Sequence, residues 1–182
     1  MSLNGQSAVV GFKDGSVRVI SLISEKLSDP KKDFDQPVTV VRISPRQTTV
    51  AVAWANGQLK VYKLPSMEIR SSMKGHVGAI THLDWSAASD VIHTNAKDHK
   101  MLFWDLATGD ELPNGGKDLR DEQWSTWTCI HGWPVQGIIY EQMVPISACM
   151  RSRHDHHNYR LLATANLAGV LKLFRYAIYL HI

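Results

Sequence analysis

A chain of 182 residues, 44% of them hydrophobic, can build one packed domain, and 20 Lys and Arg against 17 Asp and Glu leave a net charge of only +3. That balance excludes the concentrated positive charge of a dedicated nucleic-acid binder, and no apolar run approaches the roughly 18 residues of a membrane-spanning helix. Two cysteines in separate strand-like runs, Cys129 and Cys149, and no secretory leader point to a reduced intracellular compartment rather than a disulfide framework.

Taken in order, the chain reads as short strands separated by turn residues. Ser7 to Phe12 and Ser16 to Leu22 are predicted strands around the turn Lys13-Asp14-Gly15, and the charged stretch Ser24 to Phe34 is a connection. Val38 to Ser44, Thr48 to Ala53 and Leu59 to Leu64 follow, the last two joined by Asn56-Gly57, a strong hairpin signal because both residues tolerate positive φ. Gly75 to Asp105 opens on Gly-His and closes on Trp-Asp. It holds strands at Ala79 to Trp85, Asp90 to Asn95 and Lys100 to Trp104.

Leu106 to Gln123 is rich in Gly, Asp, Asn and Pro and is read as loop. Trp124 to Tyr140 carries three tryptophans and predicts two strands, Thr126 to Ile130 and Val135 to Tyr140. Its tryptophans are expected in the core, with an exposed aromatic patch as the sharper alternative. The final strands are Ile146 to Arg151, Leu161 to Ala165 and Val170 to Arg175, with Tyr176 to Ile182 a further short aromatic one. The loop Arg151 to Arg160 gathers His154, Asp155, His156 and His157, but no second cluster stands at ligand spacing. It is read as solvated surface, and no metal is expected.

The third strands repeat. Gly15 to Ile20, Gly57 to Tyr62, His99 to Trp104 and Gly169 to Phe174 share one plan: a turn residue, then alternating apolar positions, then a bulky end. Ile20, Tyr62 and Trp104 fall at equal steps of 42 residues, within the roughly 40–45 of a four-stranded propeller blade. The step from Trp104 to Phe174 is 70, so foreign sequence is inserted there. The expected fold is therefore all-β: a partial β-propeller of about three and a half four-stranded antiparallel blades. The blades are placed at about 1–34, 35–73, 74–134 and 135–182 of a single incomplete domain. Because ring closure protects the end strands, the chain is expected to be a segment of a longer polypeptide that supplies the remaining blades.

The Gly-His start and Trp-Asp end resemble the WD-repeat family. That resemblance implies a hydrogen-bonded chain of indole, hydroxyl, imidazole and carboxylate through Trp104, Thr94, His76 and Asp98. These residues are then structural, since polar groups buried without partners cost about 1–3 kcal/mol each. The same trio of His, Asp and Thr admits a remote hydrolase reading, but no nucleophile elbow accompanies it. In the second unit Asn56 replaces the carboxylate and Tyr62 the tryptophan, so that blade is expected to lean on packing.

At Thr81-His82-Leu83-Asp84-Trp85-Ser86 and at Trp127-Thr128-Cys129-Ile130-His131-Gly132-Trp133 the resemblance narrows to the echinoderm microtubule-associated protein-like family, in the C-terminal part of its tandem propeller. His131 and Trp133 depart from its pattern. The family's terminal blade, its N-terminal coiled coil with the basic region, and its hydrophobic motif have no counterpart in this sequence. The resemblance implies a non-catalytic, cofactor-free interaction platform of the cytoplasmic cytoskeleton, with tubulin or microtubules as partner and neither nucleic acid nor membrane. The rim loops that would meet acidic tubulin carry Lys13, Lys74, Lys97 and His99. The alternative is a generic WD-repeat scaffold in signalling or ubiquitin-ligase assemblies.

Overall fold

The computed structural model of the chain describes residues 5–132, 144–152 and 161–175. Four antiparallel sheets follow one another as an unclosed β-propeller. In the first, β1 (Ser7–Gly11) pairs with β2 (Ser16–Ser21), and two short strands, β3 (Lys26–Leu27) and β4 (Lys31–Lys32), share the outer edge of β2. The stretch read as a plain connection thus completes a blade. The second sheet has all four strands in sequence order: β5 (Val38–Ile43), β6 (Thr49–Trp54), β7 (Leu59–Lys63) and β8 (Ile69–Met73).

The third sheet comprises β9 (Ile80–Trp85), β10 (Val91–Ala96) and β11 (Met101–Asp105), and a single bridge from Trp104 to Glu111 marks its outer edge. The loop after β11 contains one helical turn, α1 (Gly115–Asp118), which the Gly-rich composition concealed. The fourth sheet is β12 (Ile146–Arg151), β13 (Leu161–Asn166) and β14 (Leu171–Arg175).

Thr126 to Ile130 is not a strand. It runs as irregular chain anchored at one end by a bridge between Ser86 and Trp124. The reason is chemical: the backbone N–H groups of Thr128 and Cys129 go to a buried carboxylate instead of a ladder, as described below. Trp124 and Trp127 are buried, so the exposed-patch alternative fails for both. Trp133, the predicted strand at Val135 to Tyr140, the His154 to His157 loop and Tyr176 to Ile182 lie outside the described residues.

Period-two alternation gives each strand two apolar faces, and the core forms between sheets. Val17, Val50, Val52, Trp54 and Tyr62 join the first sheet to the second. Val40, Leu59, Val61, Met73, Ile80, Leu83, Trp85 and Trp104 join the second to the third. Phe103, Trp124, Trp127, Cys149 and Leu162 join the third to the fourth. Indole N–H groups cross these seams as well: Trp54 Nε1 donates to the Gly15 carbonyl at 3.0 Å, and Trp85 Nε1 to the Arg42 carbonyl at 3.2 Å. A buried indole so bonded contributes area without leaving an orphan donor.

Candidate functional site

The third sheet carries two buried His–Asp networks. In the first, Asp98 stands in the β10–β11 turn, where its carboxylate accepts the Lys100 N–H at 3.0 Å and the Val77 N–H at 3.1 Å. His76 Nδ1 lies 2.9 Å from Asp98 Oδ2, and His76 Nε2 lies 2.8 Å from Thr94 Oγ1. Trp104 Nε1 donates to the same hydroxyl oxygen at 2.9 Å. One wiring satisfies every atom: the indole donates to the threonine, the threonine O–H to Nε2, and Nδ1–H to the carboxylate. Burial opposes ionisation of Asp98, but His76 and the N–H groups of Lys100 and Val77 outweigh it and hold the carboxyl below its usual range. The four residues singled out from the sequence are thus brought together, with the His76 side chain fully buried.

The second network was not anticipated. Asp84 and His93 face each other directly across β9 and β10, on the side of the sheet turned toward the fourth. Both side chains are fully buried, with His93 Nε2 3.1 Å from Asp84 Oδ2. The same oxygen accepts the backbone N–H of Thr128 at 2.7 Å and of Cys129 at 3.0 Å. Asp84 Oδ1 accepts the hydroxyls of Thr126 and Thr128. One carboxylate therefore pins the whole Thr126–Cys129 segment. Trp124 stacks on the His93 ring at 3.8 Å between centroids, and Trp127 meets its edge at 4.5 Å. Burial opposes the charge on Asp84, yet His93 and the donors from Thr126 and Thr128 keep the carboxyl far below its usual range. Burial likewise holds the His93 imidazole below its ordinary value, so it is neutral, and its Nδ1 has no partner among the described residues.

Asp84, His93 and Cys129 offer ligand-type atoms within 4.8 Å of one another. The donor set does not suit a metal. All lone-pair directions of the carboxylate are already engaged, two of them by main-chain N–H groups that cannot swing away. Burial also pushes the Cys129 thiol well up and the Cys149 thiol to about 12, whereas a ligand must be thiolate. Both cysteines are free, and the Cys149 thiol lies 3.1 Å from the Cys129 carbonyl oxygen.

The second sheet replaces the His–Asp chain by other means. Asn56 caps its own turn, accepting the Gln58 N–H at 3.1 Å. Tyr62 donates to Asp33 at 2.6 Å, and Lys60 reaches the same carboxylate at 2.8 Å. The expectation that this blade rests on packing needs that addition: Asp33, from the connection before β5, braces Tyr62 from outside the sheet. Burial resists ionisation of Asp33, but Lys60 and Tyr62 prevail and lower it.

The residues read as a rim are all exposed, and hydrogen bonds join the loops that carry them along one edge. The Val38 N–H donates to Phe12 O beside Lys13, the Ala55 N–H to Pro37 O, and the Lys97 N–H to Ala79 O. Gly57, at φ +79°, closes the gap between the second and third sheets: a Cβ there would stand 2.4 Å from the His76 carbonyl oxygen, beside Lys74. Lys13, Lys74, Lys97 and His99 therefore share one edge of three sheets, and the lysines make no ion pair among the described residues. Asp90, Asp105 and Asp110 lie at the opposite strand ends. Sequence reasoning missed Asp84 and His93, although both motifs they join were in view. The available signal was a carboxylate inside an otherwise apolar strand, which has to find donors somewhere.

The sequence profile described as "Echinoderm microtubule-associated protein second beta-propeller" matches residues 1–180. Among curated proteins, the chain is 31% identical to mouse echinoderm microtubule-associated protein-like 3 over 95% of its own length and 20% of that protein's. It is 30% identical to the 77 kDa echinoderm microtubule-associated protein of Lytechinus variegatus, over 96% of itself and 26% of the relative. The chain thus spans about a fifth to a quarter of the proteins it matches. Among solved structures it resembles two computationally designed proteins. Ika4 has TM-score 0.57 at 18% identity, covering 94% of this chain and 86% of that one. Ika8 has TM-score 0.59 at 19% identity, covering 96% and 44%.

Proposed function

Since the chain belongs to the echinoderm microtubule-associated protein family, we propose that it is a non-catalytic WD-repeat platform of the cytoplasmic cytoskeleton that binds tubulin through the edge bearing Lys13, Lys74, Lys97 and His99. The observation that carries this reading is the continuity of that edge. Turns of the first and third sheets and the connection between the second and third present exposed cations along it, while the Asp98 carboxylate is turned inward to brace and the exposed Asp14 carboxylate is engaged by Ser16. Tubulin is acidic, and a line of modest positive charge steers such a partner, raising the association rate in a salt-sensitive way.

A catalytic role for His76 has little to support it. Both ring nitrogens are engaged, the side chain is sealed from solvent, and the neighbouring hydroxyl of Thr94 is committed to Trp104. The blades at about 1–34, 35–73, 74–134 and 135–182 act in this reading as the frame that spaces the cations.

Co-sedimentation with microtubules tests the edge. The triple variant Lys13→Glu, Lys74→Glu, Lys97→Glu is expected to bind at least ten-fold more weakly at low ionic strength, with the gap shrinking as salt is added. Unchanged binding by a folded triple variant rules the edge out.

A further inference from the structure

Strand β8 is the outer strand of the second sheet, and among the described residues it pairs on one side only, with β7. Both faces of that sheet are covered by neighbouring sheets of the same chain, so β8 is open along its free edge and not for want of an adjoining blade. Alternation sorts its side chains. Ser71 and Met73 are buried in the seam with the third sheet, where the Ser71 hydroxyl donates to the Leu106 carbonyl at 2.6 Å. Arg70, Ser72 and Lys74 alternate with them and are all exposed. Arg70 and Lys74 make no ion pair among the described residues. Two serines in the sequence have a cation both two places before and two places after them: Ser44, between Arg42 and Arg46, and Ser72, between Arg70 and Lys74. The fold separates the two. Ser44 is 2% exposed, and its hydroxyl oxygen accepts the Thr49 N–H at 3.3 Å. The Ser72 hydroxyl stands at the surface between its two cations.

We propose that Ser72 is a phosphoacceptor for serine kinases that select basic residues on both sides of the target hydroxyl. Kinases tell substrates apart by the charge pattern around the acceptor. In β8 that pattern is displayed on a segment that is already extended, with Arg70, Ser72 and Lys74 on one side of it. In the transfer, Ser72 Oγ attacks the γ-phosphorus of magnesium ATP. The Oγ–P bond forms, the bond from that phosphorus to the β,γ-bridging oxygen breaks, ADP leaves, and the hydroxyl proton passes to the kinase's aspartate. The consequence for binding rests on the tubulin-binding reading given above. A phosphate of about −1.5 to −2 charge two residues before Lys74 offsets that cation and weakens the edge for an acidic partner.

The test is incubation of the folded full chain with magnesium ATP and a panel of purified basophilic serine kinases, with sites mapped by mass spectrometry. Ser72 is expected to take up roughly one phosphate per chain while Ser44 takes up none. Ser72→Ala should abolish the uptake, and Arg70→Ala should slow it about ten-fold with unaltered far-ultraviolet circular dichroism. Absence of label at Ser72 with every kinase in the panel overturns the proposal. So does preference for Ser44, label at Ser72 only in chains that have lost their native dichroism, or indifference to Arg70→Ala. Microtubule co-sedimentation reads the consequence: the phosphorylated chain should bind about three-fold more weakly than the unmodified one at low salt. Equal binding of the two forms overturns the effect on the edge. Failure of the unmodified chain to bind at all breaks the tubulin reading, and the phosphoacceptor then stands or falls on the mapping alone.

Discussion

The two networks of the third sheet use the same residue pair and do different jobs. His76 and Asp98 are 22 residues apart, with Thr94 and Trp104 close in sequence, and every member belongs to one blade or the loop that leads into it. They hold the strands of one sheet on each other. Asp84 and His93 sit across one hairpin, but their remaining partners, Thr126, Thr128 and Cys129, are 42 to 45 residues further on, across an inserted loop. This second network fixes the path of the chain between the third sheet and the fourth. A carboxylate buried among aromatic rings is stable only with its full set of donors, so the crossing segment gives up strand structure to provide them.

The comparison predicts unequal consequences. Asp84→Ala is the most damaging single change, since it strands the N–H groups of Thr128 and Cys129, two hydroxyls and the His93 N–H in a dry site. A loss of about 3–5 kcal/mol is expected by urea denaturation, as for breaking other buried pairs. Amide exchange at 126–130 should accelerate more than in β6, which shares no bond with the network. His76→Ala should cost less, about 1–3 kcal/mol, because Asp98 retains the N–H groups of Val77 and Lys100. The protein should remain folded, with Trp104 fluorescence perturbed and the Trp124 environment intact. If the two variants prove equally destabilising, the distinction between an in-sheet brace and a crossing lock is lost.

The smallest effect is the one on pH. Burial keeps the His93 imidazole neutral in the folded protein, so the unfolded chain binds the extra proton once pH falls below its ordinary value near 6.5. Asp84, lowered in the folded state, acts in the same direction as pH falls through the carboxylate range. Stability should therefore be full above about pH 7 and decline from there downward, by at most about 1.4 kcal/mol per pH unit for the histidine. Thermal melts from pH 8 to pH 5 should show this decline, and His93→Gln should flatten the part between pH 6.5 and 5. A variant with the wild-type slope would assign the effect to another group.

Much was legible before any coordinates. The strand runs, their turns and the repeat of 42 residues are local patterns, since alternation, Asn-Gly turns and a regular period act through neighbours a few residues apart. The set His76, Thr94, Asp98 and Trp104 was legible through family spacing, and the edge cations through the turns that hold them. What escaped was governed by partners distant in sequence. β3 and β4 are two residues each and carry charge, so only the edge of β2 makes them strands. Thr126 to Ile130 has the β-branched, aromatic composition of a strand, yet the N–H groups of Thr128 and Cys129 are claimed by Asp84.

The amino-acid order alone therefore determined what each segment prefers: extended chain, turn, and which side of a strand is apolar. Only the tertiary structure decided which apolar side meets which, that Asp33 completes a blade lacking its own His–Asp chain, and that one buried carboxylate governs the passage into the fourth sheet. The physical reason is that propensity and alternation are properties of near neighbours, whereas the need of a buried charge for donors is met by whatever the folded chain brings within hydrogen-bonding distance.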